Sequence, residues 1–321
     1  MNAVIGVLLA ILVYPGLLVA LLVAWALSWV RTSVFAAARG RPVSAPLAFL
    51  GAVRTSFDKE AIIPAGVSAT AISVASLSAV VAPLLALIFL PLPGNPLINA
   101  VGLQGDIIAA SAFLLALPLA RLFVGWVAPS PLTRLATDRS ARLLAGAALP
   151  MALAVTAAAQ TFISLRLDTV TTPASAPTII LLTRALAAAA FACALPVLAR
   201  ATTLTQVDQQ APLPSSELGE VSGRNLAAFR VGEALQLVAV AAVFVTIFIV
   251  PLAGGVTNTT ARYLIWAVAI LAVAVAVALW DGLRNQAVER AERPPITWWL
   301  GVPVLLALAA LVAAAWAGRG P

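Results

Sequence analysis

The chain has 321 residues, 62% of them apolar and 10% charged, with a mean hydropathy of +1.05 and a formal charge of +7. A soluble domain carries roughly 25% charged and 45–50% apolar residues, so the composition excludes a soluble enzyme, a disordered tail and a nucleic-acid-binding domain. With no histidine and a single cysteine, Cys193, the chain has the side chains for neither a zinc, Fe–S or haem site nor a Ser–His–Asp or Cys–His device, and no bound metal is expected.

A membrane-crossing helix needs about 20 mostly apolar residues. Eight stretches reach that length, at about 3–30, 62–91, 105–128, 143–165, 175–199, 226–250, 263–280 and 297–317. They are rich in Ala, Leu and Val and too long for barrel strands. The expected fold class is therefore all-α: a polytopic membrane protein, one bundle of eight transmembrane helices with long cytoplasmic loops, spanning residues 1–321 as a single domain. The first stretch has no basic residue before it and too long an apolar run for a cleaved signal peptide.

In chain order, the loop at 31–61 holds the charged run Arg54-Thr55-Ser56-Phe57-Asp58-Lys59-Glu60, which leads into Ile62-Ile63-Pro64. Taken alone it reads as a solvated surface loop with a proline at a helix start. Helix three opens at Gly105-Asp106, where a carboxylate suits both the N-cap and the helix dipole. Charges inside the hydrocarbon cost about 2.5–3.5 kcal/mol each and need a reason. They are Arg121 in helix three, Arg184 in helix five, and Arg230 with Glu233 in helix six. The last two are three residues apart on one face, which predicts mutual neutralisation or, on a sharper reading, a polar station on a proton or quinone path. Pro118, Pro150 and Pro196 lie inside helices and predict kinks or freed carbonyls.

Orientation follows from the cations. Thirteen Lys and Arg residues fall in the loops after helices one, three, five and seven, and three (Arg166, Arg262 and Arg319) on the opposite side. The positive-inside rule puts the thirteen in the cytoplasm and both termini outside. A composition rich in Ala, Val and Arg with a single Lys points to the cytoplasmic (cell) membrane of a bacterium, with the lipid bilayer itself as a partner and nucleic acid excluded.

Read together, the loops resemble a known family. Lys59-Glu60 followed by Ile62-Ile63-Pro64 resembles the "KE..-P" lead-in to helix two of the membrane subunit 1 family of respiratory complex I, shared with group 4 nickel–iron hydrogenases and formate hydrogenlyase subunit 4. Gly40-Arg41-Pro42 with Pro46 resembles its "RPGPP" turn. Gly105-Asp106-Ile107-Ile108, then Leu117 to Phe123, is similar to "GDII…LARFF", and Ser130-Pro131 with Asp138-Arg139 to "GSPFGG…SR". Glu220-Val221-Ser222-Gly223-Arg224-Asn225-Leu226-Ala227 is similar to the hydrogenase-type "EYSGRDLA", and Ala234-Leu235-Gln236-Leu237 to "ALKL".

The resemblance implies the membrane anchor and coupling subunit of a hydrogenase-like or complex I-like oxidoreductase, itself non-catalytic. Its partners would be hydrophilic subunits carrying Fe–S clusters and antiporter-like membrane subunits, with Fe–S and nickel–iron centres in those partners and a quinone in the quinone-reducing branch. Arg41, Lys59, Arg139 and Arg224 are the implied docking residues. Glu60, Glu220, Arg230 and Glu233 are the implied proton-path or polar-station residues. This chain departs from the family at Val221 for Tyr, Asn225 for Asp, Arg230 at an acidic position, and Ala147-Ala148-Leu149-Pro150 where helix four carries an acid. Those losses favour docking over conduction. The alternatives are a quinone-site subunit of an NADH–quinone oxidoreductase, a degenerate structural paralogue, and a stand-alone secondary transporter, which the lack of an internal repeat disfavours.

Overall fold

The computed structural model describes the chain apart from residues 1–4, 6, 9–10, 15, 39, 41, 44, 62, 64–66, 93–94, 96–104, 162–163, 168–177, 200–216, 254–258, 290–295 and 318–321, with only the backbone at 35, 38, 252–253, 259, 281–289 and 296–300. Its helices are α1 Leu17–Ala38, α2 Ala48–Phe57, α3 Ala69–Ile88, α4 Ile107–Val127, α5 Pro131–Gln160, α6 Thr178–Leu198, α7 Gly223–Phe244, α8 Thr259–Glu289 and α9 Ile296–Ala317. A π turn, Val245–Ile249, and a 3₁₀ turn, Val250–Ala253, extend α7. Seven of these helices are long and apolar enough to cross a bilayer, and α9 adds a shorter apolar one. The chain is an all-α, polytopic membrane protein.

Several boundaries differ from the sequence reading: α5 starts at Pro131 and not at 143, so Arg134, Arg139 and Arg142 lie on a helix and not in a loop, α8 runs on to Glu289, and two further differences fall at α1 and α2. The first helix does not run unbroken over 3–30: Val13, Tyr14 and Gly16 lie in a turn and bend, and α1 starts at Leu17 and continues through Arg31 to Ala38. Pro15-Gly16 is a turn signal that the apolar run outweighed. The stretch read as open loop at 31–61 also contains α2. Phe49, Ala52, Val53 and Ser56 recur at helical spacing on the face α2 turns inward.

The bundle is built around α7, 89% of whose apolar stretch is buried, against 17% for α1 at the rim. Small residues make that possible. A Cβ at Gly232 would fall 2.4 Å from the Ala79 carbonyl oxygen, so α3 and α7 pass at backbone contact only because that side chain is missing. Proline contributes to the same centre. Pro118 cannot donate to the Leu114 carbonyl one turn back, and Gln236 Nε2 on α7 donates to it at 2.6 Å and to the Leu198 carbonyl at 3.4 Å. The freed carbonyl expected from the sequence is therefore taken up by a buried amide.

At one end of the bundle the chain closes on itself by backbone. Ile107 N–H donates to the Leu165 carbonyl and Leu167 N–H to the Gly105 carbonyl, both at 3.0 Å. Asp106 caps α4 as expected, its Oδ1 accepting from Ile108 N–H at 2.8 Å. Asn95 donates to the Ile88 and Leu90 carbonyls at the end of α3. The opposite end, where α1 gives way to α2 and α3, α4 to α5 and α6 to α7, is held mainly by side chains and carries the candidate site.

Candidate functional site

A guanidinium at membrane depth requires an opposite charge. Arg121 is 1% exposed within α4 and finds two. Its Nη2 lies 2.9 Å from Glu217 Oε2, and its Nη1 pairs with Glu233 of α7. Glu217 is itself 5% exposed and belongs to the turn that leads into α7. It can approach because Gly125, one turn after Arg121, has no side chain. A Cβ there would fall 2.0 Å from Thr137 Oγ1 and 3.1 Å from Glu217 Cβ.

The same turn is fixed a second time by Glu220. Ser130 is the N-cap residue of α5, but its own side chain makes no capping bond. Glu220 Oε1 supplies one from ninety residues away, accepting from Ser130 N–H at 3.0 Å and from Thr133 Oγ1 at 3.3 Å. The carboxylate thus sits at a helix N-terminus, where free N–H groups and the helix dipole favour negative charge.

Three further ties join this turn and α7 to the segment before α3. Ser222 Oγ donates to the Glu60 carbonyl at 2.9 Å. Gly223 adopts φ +62°, and a Cβ there would lie 2.7 Å from the Ala61 backbone, so the Ser-Gly pair is required both by conformation and by space. Arg230 Nη1 donates to the Ala52 carbonyl at 2.8 Å and to Ser56 Oγ at 2.7 Å on α2. Deeper, Ser76 Oγ of α3 donates to Asn225 Oδ1 of α7 at 3.1 Å.

The pairing of Arg230 with Glu233 expected from the sequence is therefore corrected. Helical spacing puts them on one face, but each is drawn to a different neighbour, Arg230 to α2 and Glu233 to Arg121. Lys59, Glu60, Arg139 and Arg224 are exposed, while Glu220, Arg230 and Glu233 are partly buried. Arg41 lies outside the described residues. Sequence reasoning noticed Arg121 without finding its partners, and it passed over Glu217. The available signal was a pair of acids, Glu217 and Glu220, three apart before an apolar helix, alongside an arginine with no acid in its own helix.

The sequence matches the NADH dehydrogenase family over residues 7–315. A solved structure entitled the membrane-bound sulfane sulfur reductase (MBS), an archaeal respiratory membrane complex, contains a similar chain. That chain is 19% identical, with a TM-score of 0.76 over 98% of this protein and 100% of its own length, which establishes a shared fold. No curated protein sequence matches. The chain belongs to the NADH dehydrogenase family, in its subunit 1 branch of membrane proteins.

Proposed function

We propose that this family member is the membrane foot of a complex I-like or hydrogenase-like respiratory complex, and that the end built on Arg121, Glu217 and Glu220 is the landing face for the hydrophilic, Fe–S-bearing arm. One observation carries the reading. Segments far apart in sequence, Glu60–Ala61, Ser130–Thr137 and Glu217–Gly223, are cross-linked into one surface by side-chain bonds. Lys59, Glu60, Arg139 and Arg224 stay exposed on it. A rigid polar surface loses little entropy on docking, and its mixed charges select a complementary partner. The cation excess on this side assigns it to the cytoplasm. Electrons and metals then belong to the partners.

The hydrogenase-type "SGR" run at Ser222-Gly223-Arg224 favours the group 4 hydrogenase-like branch over the quinone-reducing one. Glu233 supports an added coupling role. It lies within an apolar span yet is 30% exposed beside Arg121, which makes it the natural polar station, with Glu60 and Glu220 at the surface above it. Mild-detergent purification from native membranes tests the docking role. Iron-containing soluble subunits should co-purify with the wild-type chain. They should be lost when Lys59→Glu, Arg139→Glu and Arg224→Glu are combined, with the variant still folded in the membrane. A chain that always runs alone overturns the reading.

A further inference from the structure

The end of α7 opposite Gly223 departs from α geometry in two opposite ways. The helix stays α to Phe244, widens into the π turn Val245–Ile249 and tightens at once into the 3₁₀ turn Val250–Ala253. Val250 N–H donates to the Val245 carbonyl, five residues back. A π bond spans five residues, an α bond four and a 3₁₀ bond three. The wide turn and the tight one together therefore hold the residues of two α turns. One residue can pass between them without lengthening or shortening the chain on either side.

Pro251 alone does not impose this geometry. α3, α4, α5, α6 and α9 contain Pro83, Pro118, Pro150, Pro196 and Pro303 and remain α-helical through them. Thr246 favours the same α register in α7. Thr137, Thr156 and Thr183 each donate to the carbonyl four residues back, at 2.7, 2.8 and 2.8 Å. Thr246 is 2% exposed, yet its hydroxyl has no partner among the described residues. An unpaired buried hydroxyl is a cost that the α register would remove. The π register is held from outside the helix. Phe244 and Phe248 pack on Phe191 of α6 with ring centres 5.8 and 5.7 Å away, and their own centres are 5.4 Å apart. Those separations lie in the favourable range for aromatic pairs.

We propose that this end of α7 is a two-register joint. In one register the π and 3₁₀ turns stand as described and Phe248 packs on Phe191. In the other the extra residue passes to the tight turn, the helix runs α up to its proline, and the Thr246 hydroxyl donates to the Ala242 carbonyl. Phe248 is then turned by one residue's worth of helix, about 100°, off Phe191. The contact between α6 and α7 is released at this end only. Glu233 lies twelve residues before Val245, about 18 Å along the helix, and keeps its partner Arg121 in both registers. The joint lets the Asp106 end of α7 rearrange without disturbing the charged end.

The test uses the full chain in vesicles, with Cys193→Ser and a trifluoroethylthio label at Val250→Cys, a partly exposed position on the joint itself. Fluorine NMR should show two exchanging signals. Pro251→Ala removes the ring that opposes an unbroken α-helix, so the signal it enlarges is that of the α register. Thr246→Val keeps the shape and removes the hydroxyl, and should shrink that signal roughly three- to ten-fold, while Thr246→Ser should preserve it. Phe191→Leu loosens the hold on Phe248 and should enlarge it. Thr246→Val keeps the packing volume, so the test stands even where Phe191→Leu fails to fold. One unsplit signal in the wild type and every variant overturns the proposal. A pair of signals whose ratio ignores Thr246→Val overturns it as well, since the motion would then have another cause.

Discussion

The two ends of the bundle are closed by different physics. At the Asp106 end, backbone pairs with backbone across Gly105 and Leu167, and the polar side chains Asp106 and Asn95 bond within a few residues of themselves. At the Glu217 end, bonds run between side chains and partners 87 to 178 residues apart, from Glu217 to Arg121, Glu220 to Thr133, Ser222 to Glu60 and Arg230 to Ala52. Backbone closure only needs the ends to meet. Long-range ionic closure fixes three loops relative to one another, which is what a docking surface requires and a mere cap does not. Burying charge to achieve this is expensive unless every group is paired, so disruption should be uneven between the ends.

The largest expected effect is at Arg121. Arg121→Leu leaves Glu217 and Glu233 without their cation and should cost about 3–5 kcal/mol, read as a fall in the unfolding midpoint of the purified protein and loss of the Fe–S arm. Replacing Arg121, Glu217 and Glu233 together with Met removes the unpaired charges and should recover most of that stability. Arm binding should not return, because the turn at 217–222 has lost its anchor. Recovery of both would break the contrast between the ends, since the network would then be dispensable for docking.

A finer probe uses two glycines of the same backbone conformation. Gly40 has φ +64° with nothing within 4 Å of a built Cβ, and Gly223 has φ +62° with the Ala61 backbone at 2.7 Å. Gly40→Ala should cost about 1–2 kcal/mol from the left-handed conformation alone. Gly223→Ala should cost more, because neither Ala61 nor α7 can give way without breaking the Ser222 bond to Glu60. The difference between the two midpoints reads the tightness of the packing between the 217–223 turn and the segment before α3. Equal losses would mean that the two segments are only loosely apposed.

The sequence reveals what is local and conceals what is distant. The apolar helices are legible from length and composition, and the Asp106 cap is legible because its partner is two residues away. Pro118 gives away half of its story: the freed Leu114 carbonyl follows from the proline, whereas the amide that takes it lies 122 residues on, at Gln236. The Arg230–Glu233 pairing fails for the same reason. A three-residue spacing on a helix is a weak attraction of a few tenths of a kcal/mol. It yields to a fully buried guanidinium on another helix that no spacing rule identifies. α2 is hidden because its ten residues, Ala48–Phe57, mix Gly, Arg, Thr and Ser with four large apolar side chains, a run too short and too polar to stand out between longer spans.

The smallest effects come from the two carboxylates that cap helices, one at each end. Asp106→Asn keeps an oxygen at the α4 N-cap, and Glu220→Gln keeps one at α5, so each loses only the charge–dipole part, about 0.3–1 kcal/mol. Stability should therefore scarcely separate the two variants. Arm retention should separate them. Asp106 is bonded within its own helix start, and weakening it leaves the opposite end untouched. Glu220 ties the turn that carries Ser222 and Gly223 to α5, so Glu220→Gln should speed dissociation of the Fe–S subunits during gel filtration while Asp106→Asn does not. Equal retention by both variants would show that Arg121 and Glu217 hold the turn alone, and the landing surface would then need one anchor instead of two.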